Sequence, residues 1–182
     1  RIVIAIGGNA ILNPERGDPM EQQRLIDRTA EEIVKVIQKG YYVIITHGNG
    51  PQIGNILAMQ EECGLVHPQP LDVCVAQTQG LIGYLLQQSI DNQLREKGSD
   101  RKVVTVLTQV LVDDSCTSFK NPTKPIGLYF PEIRAHRMIE RGISMIKDKK
   151  GYRRVVASPM PIKIIEEETI KRFVESSTVV IA

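Results

Sequence analysis

Two short loops have the composition of an anion-binding site. Gly7-Gly8-Asn9 follows the apolar run Ile2 to Ile6, and Gly48-Asn49-Gly50 comes just after the apolar run Tyr42 to Thr46. Glycines let backbone N–H groups approach a ligand with no Cβ in the way, and asparagine amides can donate to the same oxygens. A helix beginning at Pro51 would direct its positive dipole end toward the second loop. We therefore expect the two loops to hold a small oxyanion such as a phosphate or a carboxylate.

Lys124 is a further candidate for contact with an anion. It lies between Pro122 and Pro125, whose rings restrict the local backbone and would present the ammonium group in a defined direction. An ordinary solvated lysine is the alternative that these residues alone leave open.

Other common chemistries find little support. Gly48, Gly50 and Gly54 form a pattern one residue longer than the dinucleotide-binding G-x-G-x-x-G, and no Walker A sequence occurs. Ser158 lacks the flanking glycines of a nucleophile elbow. We interpret His47 as a residue that shapes its turn rather than as a catalytic base.

Cysteine and histidine do not indicate a metal site or a disulfide framework. The three cysteines are odd in number and widely spaced, and the three histidines lack metal-ligand spacing. We predict no metal bound through these side chains, and we interpret the cysteines as small apolar fillers.

The elements around the loops follow an alternating pattern of strand and helix. Short apolar runs alternate with longer helical periods, which is typical of β-α-β units with a parallel sheet. Asp18 and Pro19 have the residue types of a helix start, and that helix is expected to end at Gly40. In a parallel sheet the carboxyl ends of the strands share one edge, so the two loops can meet there. The predicted fold class is α/β, with a mainly parallel central sheet between layers of helices.

Further along the chain the pattern changes. Residues 72–97 are predicted as a long helix, in which Gly80 and Gly83 would permit close approach of another helix or of a second copy of the chain, with local fraying as the alternative. Residues 102–113 are predicted as one long β segment. Residues 114–150 lose clean periodicity and include two prolines and a glycine, so we interpret them as a flap outside the main sheet.

Composition limits the function classes. The chain has 182 residues, 42% of them hydrophobic and 24% charged, with a formal net charge of +2. These values are typical of a folded globular domain and give no reason to expect binding to nucleic acid or to a membrane surface. The apolar runs are far shorter than the roughly 20 residues of a membrane span, and no signal peptide is recognisable, so we expect a cytoplasmic protein.

Several segments, taken in order, resemble carbamate kinases of the amino acid kinase superfamily. They are Ile4-Ala-Ile-Gly-Gly-Asn-Ala10, Thr46-His-Gly-Asn-Gly-Pro-Gln52, Gln79-Gly-Leu-Ile-Gly-Tyr84, Asn121-Pro-Thr-Lys-Pro-Ile-Gly127 and Tyr152-Arg-Arg-Val-Val-Ala-Ser-Pro159. The last two are the most specific. Many superfamily members have a lysine at the position of Ala5, and in carbamate kinases a flap lysine compensates for its absence. Lys124 matches that lysine, which favours a functional role for it.

The resemblance implies reversible phosphoryl transfer between ATP and carbamate, giving ADP and carbamoyl phosphate, in arginine degradation and ATP synthesis. Lys124 would be the catalytic residue, and Gly7, Gly8, Asn9, Gly48, Asn49 and Gly50 would bind carbamate and the phosphoryl group. ATP or ADP and Mg²⁺ are the implied cofactors, held mostly by a second lobe, and the implied assembly is a homodimer. Two alternatives stay open: a binding module that captures carbamoyl phosphate or phosphate without catalysis, and another amino acid kinase.

The resemblance also predicts the domain organisation. Residues 1–113 and 151–182 would form the lobe that binds carbamate and carbamoyl phosphate, and residues 114–150 would form the flap. The nucleotide-binding lobe of the family has no counterpart in these residues. Both ends of the chain lie against strand-like runs, so we expect a fragment that makes no carbamoyl phosphate from ATP by itself.

Overall fold

A computed structural model of the chain describes residues 1–7, 10–12, 18–63 and 65–182. Strands and helices alternate along the chain, as the periodicity predicts. In chain order they are β1 (Ile2–Ile6), α1 (Pro19–Gln38), β2 (Val43–His47), α2 (Gly50–Glu62), α3 (Leu71–Glu96), β3 (Val103–Thr105), β4 (Val110–Val112), β5 (Lys124–Phe130), α4 (Glu132–Glu140), β6 (Met145–Asp148), β7 (Gly151–Val156), β8 (Pro161–Ile164), α5 (Glu167–Glu175) and β9 (Val179–Ile181).

The described residues group into two compact units. Unit 1 consists of residues 1–49, 75–109 and 165–182, and unit 2 consists of residues 50–74 and 110–164. The predicted flap, residues 114–150, lies within unit 2. Its action as a flap stays a prediction.

Unit 1 is built on a parallel sheet with the strand order β1-β2-β9-β3. Helices α1 and α3 cover one face, where Ile33 and Ile90 pack in one core with Ile45 of the sheet. Helix α5 packs on the other face through Ile170 and Val174. These three layers confirm the predicted α/β class with a parallel central sheet.

The start of α1 agrees with the sequence signals. The carboxylate of Asp18 accepts a hydrogen bond from the backbone N–H of Met20 at 2.9 Å, and Pro19 is the first helical residue. This cap satisfies one of the N–H groups that a helix start leaves without a partner, which fixes where α1 begins.

Two expectations about strands are wrong. The unbroken apolar run Ile2 to Ile6 predicts a strand that is covered on both faces, yet Val3 is 64% exposed, because α5 packs near β9 and not over β1. The predicted single segment at residues 102–113 is two strands in different sheets, β3 and β4. Between the two strands, the side-chain amide of Gln79 accepts a hydrogen bond from the N–H of Thr108 and donates one to its carbonyl. In a continuous strand, these two backbone groups would have paired with a neighbouring strand instead.

Unit 2 contains a three-stranded antiparallel sheet in the order β5-β7-β6 and a separate antiparallel pair, β4 with β8. Helix α4 packs on the three-stranded sheet, with Ala135 and Met138 against Phe130. Helix α2 crosses β5 at two glycines. A Cβ added to Gly54 would lie 3.3 Å from the Cα of Gly127, and Gly127 itself has a φ of +71°, which favours glycine.

The chain leaves unit 1 after Gln109 and returns at Ile165, and these two points are hydrogen-bonded to each other. The N–H of Ile165 donates to the carbonyl of Gln109 at 3.0 Å. The carboxylate of Glu166 accepts from the N–H of Gln109 at 2.7 Å and from its side-chain amide at 2.9 Å. We call this set of contacts the 109–166 clamp.

The clamp predicts a specific pH dependence of stability. The backbone hydrogen bond from Gln109 lowers the pKa of Glu166 below its usual 4.5, so the carboxylate stabilises the fold fully above pH 4.5 and less as the pH falls through the lowered value. In Glu166→Gln we expect lower stability at neutral pH and a shallower loss of stability as the pH drops below 4.5. Urea unfolding at several pH values measures both.

Glu140→Gln, which removes an exposed carboxylate on α4, is the control and should leave the pH profile of stability nearly unchanged. A Glu166→Gln profile parallel to that of the wild type would show that the clamp does not contribute through the charge of Glu166.

No helix in the described part of the chain is long and apolar enough to cross a membrane.

Candidate active site

The two glycine loops leave the same edge of the parallel sheet side by side. Ile6 and His47 are register partners at the ends of β1 and β2, and the N–H of Gly48 donates to the carbonyl of Ile6 at 3.0 Å. The structure therefore brings Gly7 and Gly48 together, as the parallel-sheet argument predicts.

Gly7 faces open space. A Cβ at this position would have no heavy atom of a described residue within 4 Å, and Gly7 is not among the described residues with positive φ. Neither turn geometry nor packing against the described residues explains a glycine here. What the missing side chain provides is direct access to the backbone.

Asn49 is held by a buried threonine. Its amide nitrogen donates to the hydroxyl of Thr78 at 2.9 Å, and that hydroxyl donates to the carbonyl of Val75 at 2.7 Å. Thr78 is completely buried on α3. One amide N–H of Asn49 is thus committed to the protein, while this bond leaves its carbonyl oxygen and second N–H available to a ligand.

Thr78 was not among the residues predicted for the site. The sequence gives it no signal, since a threonine within a long helix is common and its contact with Asn49 spans 29 positions. Its hydroxyl fixes the position of the Asn49 side chain.

Burial disfavours the charged form of His47. Burial lowers its pKa below the usual 6.5, and its Nδ1 lies 3.4 Å from the carbonyl of Gly48. An uncharged ring next to the loop agrees with the interpretation that His47 shapes the turn and does not supply positive charge.

In unit 2, helix α2 begins at Gly50, where an added Cβ would again meet nothing within 4 Å. Gln52, in the first turn of this helix, is only 3% exposed, and neither end of its amide has a hydrogen-bond partner among the described residues. A buried polar group without a partner costs roughly 1–3 kcal/mol, so such a residue indicates a site where another group completes the hydrogen bonds. Gln52 is a second residue that the sequence analysis missed as a candidate.

Lys124 begins strand β5, where it is the register partner of Val156. Its backbone is thus held by the sheet, while its side chain is exposed and makes no hydrogen bond or ion pair with a residue that the structure describes. Helix α2 and β5 belong to the same unit and touch at Gly54 and Gly127. The meeting of Lys124 with the glycine loops of unit 1 stays a prediction.

The remaining predicted site residues, Gly8 and Asn9, lie outside the described residues. Just beyond them, the N–H of Ala10 donates to the carbonyl of Gly7 at 3.0 Å.

Within the described ranges, no group of three or more His, Cys, Asp or Glu side chains is placed to hold a metal ion. We assign no step through a metal ion to these residues.

Comparison with known proteins agrees with the motifs. The model of the amino acid kinase family matches residues 1–182. Carbamate kinase from Pyrococcus furiosus is 45% identical over 191 residues, an alignment that covers 100% of this chain and 60% of the relative. Carbamate kinase from Staphylococcus epidermidis is 44% identical over 189 residues and is covered to 59%.

Solved structures give the same result. Carbamate kinase from Giardia lamblia bound to AMP-PNP superimposes with a TM-score of 0.89 at 38% identity, covering 98% of this chain and 58% of that one. The structure of the Giardia enzyme bound to citric acid gives a TM-score of 0.86 at 40% identity, with coverage of 98% and 59%. The chain spans about 60% of the length of the curated relatives it matches.

Proposed function

The chain belongs to the amino acid kinase family, and on that premise we propose that it forms the carbamate-binding part of a carbamate kinase. The reaction would transfer a phosphoryl group reversibly between ATP and carbamate, giving ADP and carbamoyl phosphate. Support comes from the motifs that resemble carbamate kinases and from relatives of that name at 43–45% identity. Arginine degradation with ATP synthesis is the setting that the same resemblance suggests.

The structural observation that carries the proposal is the pair of loops at one sheet edge, with Gly7 open to solvent and bonded through Ile6 to Gly48. Backbone N–H groups of Gly7, Gly8, Gly48 and Gly50, with the amides of Asn9 and Asn49, would donate to the oxygens of carbamate and of the phosphoryl group. Preorganised donors of this kind need no rearrangement as charge develops in the transition state.

Carbamate is already an anion, so its attack on phosphorus requires no general base. Positioning and neutralisation of charge are then the tasks left to this chain. Lys124 would supply the mobile positive charge, closing over the phosphoryl group as part of a lid.

ATP or ADP is the second substrate in this proposal. Mg²⁺ bound with the nucleotide would neutralise charge on its phosphates, and other parts of the protein would hold both. The described residues contribute the acceptor side of the reaction.

We also propose that the protein pairs as a homodimer, as the family resemblance suggests. On α3, the large side chains of Leu81 and Tyr84 are exposed and could contact a second copy of the chain. The mass measured by light scattering should be twice that of one subunit, and a monomeric mass would contradict pairing.

Titration calorimetry with carbamoyl phosphate tests the site. We expect saturable binding, and Thr78→Val should weaken it by roughly 2- to 12-fold, the value of one hydrogen bond of about 0.5–1.5 kcal/mol, since Asn49 loses its partner. The kcat of the intact protein should change less than its KM, because Thr78 positions Asn49 and would not touch the reacting atoms.

Ser89→Ala is the matched control. Ser89 is also a buried hydroxyl on α3, but it donates to Asp27 and not to a loop residue. Its loss should lower stability without changing the affinity for carbamoyl phosphate. If wild-type protein fails to bind carbamoyl phosphate, the proposed site is wrong; binding without turnover in the intact protein would favour a binding module.

A further inference from the structure

Unit 2 contains a cavity of about 450 Å³ that none of the residues predicted for the substrate site lines. It lies against α4 and the end of α2. Three of its lining residues are arginines, Arg134, Arg137 and Arg141, and the polar wall is completed by Glu61. Its volume is within the range of pockets that hold small ligands.

Only one of the three guanidinium groups is neutralised. Arg134 lies 2.6 Å from the carboxylate of Glu62 and 5.2 Å from the centre of the Phe130 ring. The side chains of Arg137 and Arg141 form no hydrogen bond or ion pair with any residue in the part of the chain that the structure describes. Two of the guanidinium groups that line the cavity therefore have no ion-pair partner among the described residues.

The positions of these arginines hold them on one side of a helix. Arg137 and Arg141 are four residues apart, and Arg134 precedes Arg137 by three, so all three project from one face of α4 and its C-terminal cap. A guanidinium group near a helix C-terminus interacts favourably with the helix dipole, which explains the presence of one arginine there. Arg137 and Arg141 are four residues apart and repel each other, so the dipole does not explain why both are present.

The lining also contains a carboxylate oxygen that accepts no hydrogen bond from a described residue. Oε2 of Glu61 is buried and has no hydrogen-bond partner among the described residues, and it forms an ion pair with Arg134 at 3.9 Å. Burial raises the pKa of this carboxyl above 4.5. The rest of the lining is apolar and includes Met138 and Ile143. An occupant that fits these walls has an oxyanion at one end and a carbon body that can donate a hydrogen bond.

We propose that this cavity binds a small oxyanion ligand, a phosphate or carboxylate compound held by Arg137 and Arg141. The planar guanidinium group pairs with both kinds of oxyanion through two parallel N–H donors. The apolar side chains of Met138 and Ile143 contact the carbon body, and Glu61 accepts a hydrogen bond from it.

Calorimetric titration of the protein with glycerol 3-phosphate and, separately, with malate tests the proposal, since each probe has an oxyanion, a carbon body and a hydroxyl donor, and the pair distinguishes phosphate from carboxylate ligands. We expect one of the two probes to bind, and Arg137→Gln/Arg141→Gln to weaken it roughly 10- to 100-fold, as expected for lost charge-assisted hydrogen bonds. Both arginines are exposed, so the double variant should melt within a few degrees of the wild type.

The control is Lys97→Gln/Arg172→Gln, which removes two positive charges from exposed positions in unit 1 and should leave binding unchanged. Equal weakening in both double variants would mean a general effect of net charge and would overturn the proposal. So would the absence of binding by both probes. Binding that is weakened by Lys124→Ala but not by Arg137→Gln/Arg141→Gln would also overturn it, since that ligand would occupy the proposed substrate site.

Discussion

Replacement of Lys124 by alanine is expected to lower the rate of ATP formation from ADP and carbamoyl phosphate at least a hundredfold in the intact protein. The ammonium group is exposed, and its backbone is fixed at the start of β5 by pairing with β7. It makes no ion pair or hydrogen bond with the described residues, so neutralising it removes no structural contact among them. Loss of one preorganised donor to a developing charge commonly costs about 100- to 1,000-fold in rate.

Two further variants make the Lys124 test specific. Lys120→Ala removes an equally exposed lysine four residues earlier and should retain nearly full activity. Lys124→Arg keeps the charge but replaces a compact ammonium group with a planar guanidinium group. We therefore expect an activity between that of Lys124→Ala and that of Lys120→Ala. A rate within threefold of the wild type for Lys124→Ala would remove this residue from the proposed mechanism.

Gly83→Ala is expected to destabilise the protein by about 1–3 kcal/mol, the usual cost of inserting a methyl group into a packed contact. A Cβ at this position would overlap Cγ2 of Thr105 and lie 2.9 Å from its Oγ1. Gly80→Ala, one turn earlier on the same helix, should have the opposite sign and stabilise the protein by about 1 kcal/mol, since its Cβ meets nothing within 4 Å. Urea unfolding of both variants measures the contrast.

A double variant tests the cause of the Gly83 effect. Thr105→Ala removes the two atoms that a new Cβ approaches most closely, and the hydroxyl it deletes has no hydrogen-bond partner among the described residues. Adding Gly83→Ala to Thr105→Ala should therefore cost less than adding it to the wild type. Simple additivity of the two changes would show that α3 and β3 do not collide there.

These two glycines illustrate how far sequence alone can go. Both were expected to permit close approach of another helix or of a second chain. For Gly83 the close partner is strand β3 of the same unit, whereas Gly80 faces open space. Periodicity shows that a helix contains small residues, but the partner depends on packing between segments more than 20 positions apart.

Elements whose signals are local were predicted well. The bounds of β1 match the apolar run that Gly7 ends, and α1 begins at the predicted Asp18 cap. The long β segment at 102–113 was predicted wrongly because its division depends on Gln79, which supplies hydrogen bonds from α3.

The same distinction applies to the candidate site. A glycine loop after an apolar strand can be recognised in the sequence, so Gly7 and Gly48 were predicted as site residues. Thr78 and Gln52 were not predicted, because their importance comes from burial and from the presence or absence of a hydrogen-bond partner. Those properties are decided by how α3 and α2 pack. The roles of the predicted residues in binding and catalysis stay predictions that the experiments above test.

The 109–166 clamp holds the two ends of residues 110–164 together. Because Ile165 is hydrogen-bonded to Gln109, a connector of a few residues could span the two joints with a small closure entropy. Helix α2 packs on β5 of this segment, so a replacement must also cover that face of α2. Sheet strands β3 and β9 lie on either side of the two joints, so neither would lose its place in the chain order. Another module whose own termini are close together could be spliced in at the same joints, which makes 109 and 165 rational sites for building chimeras.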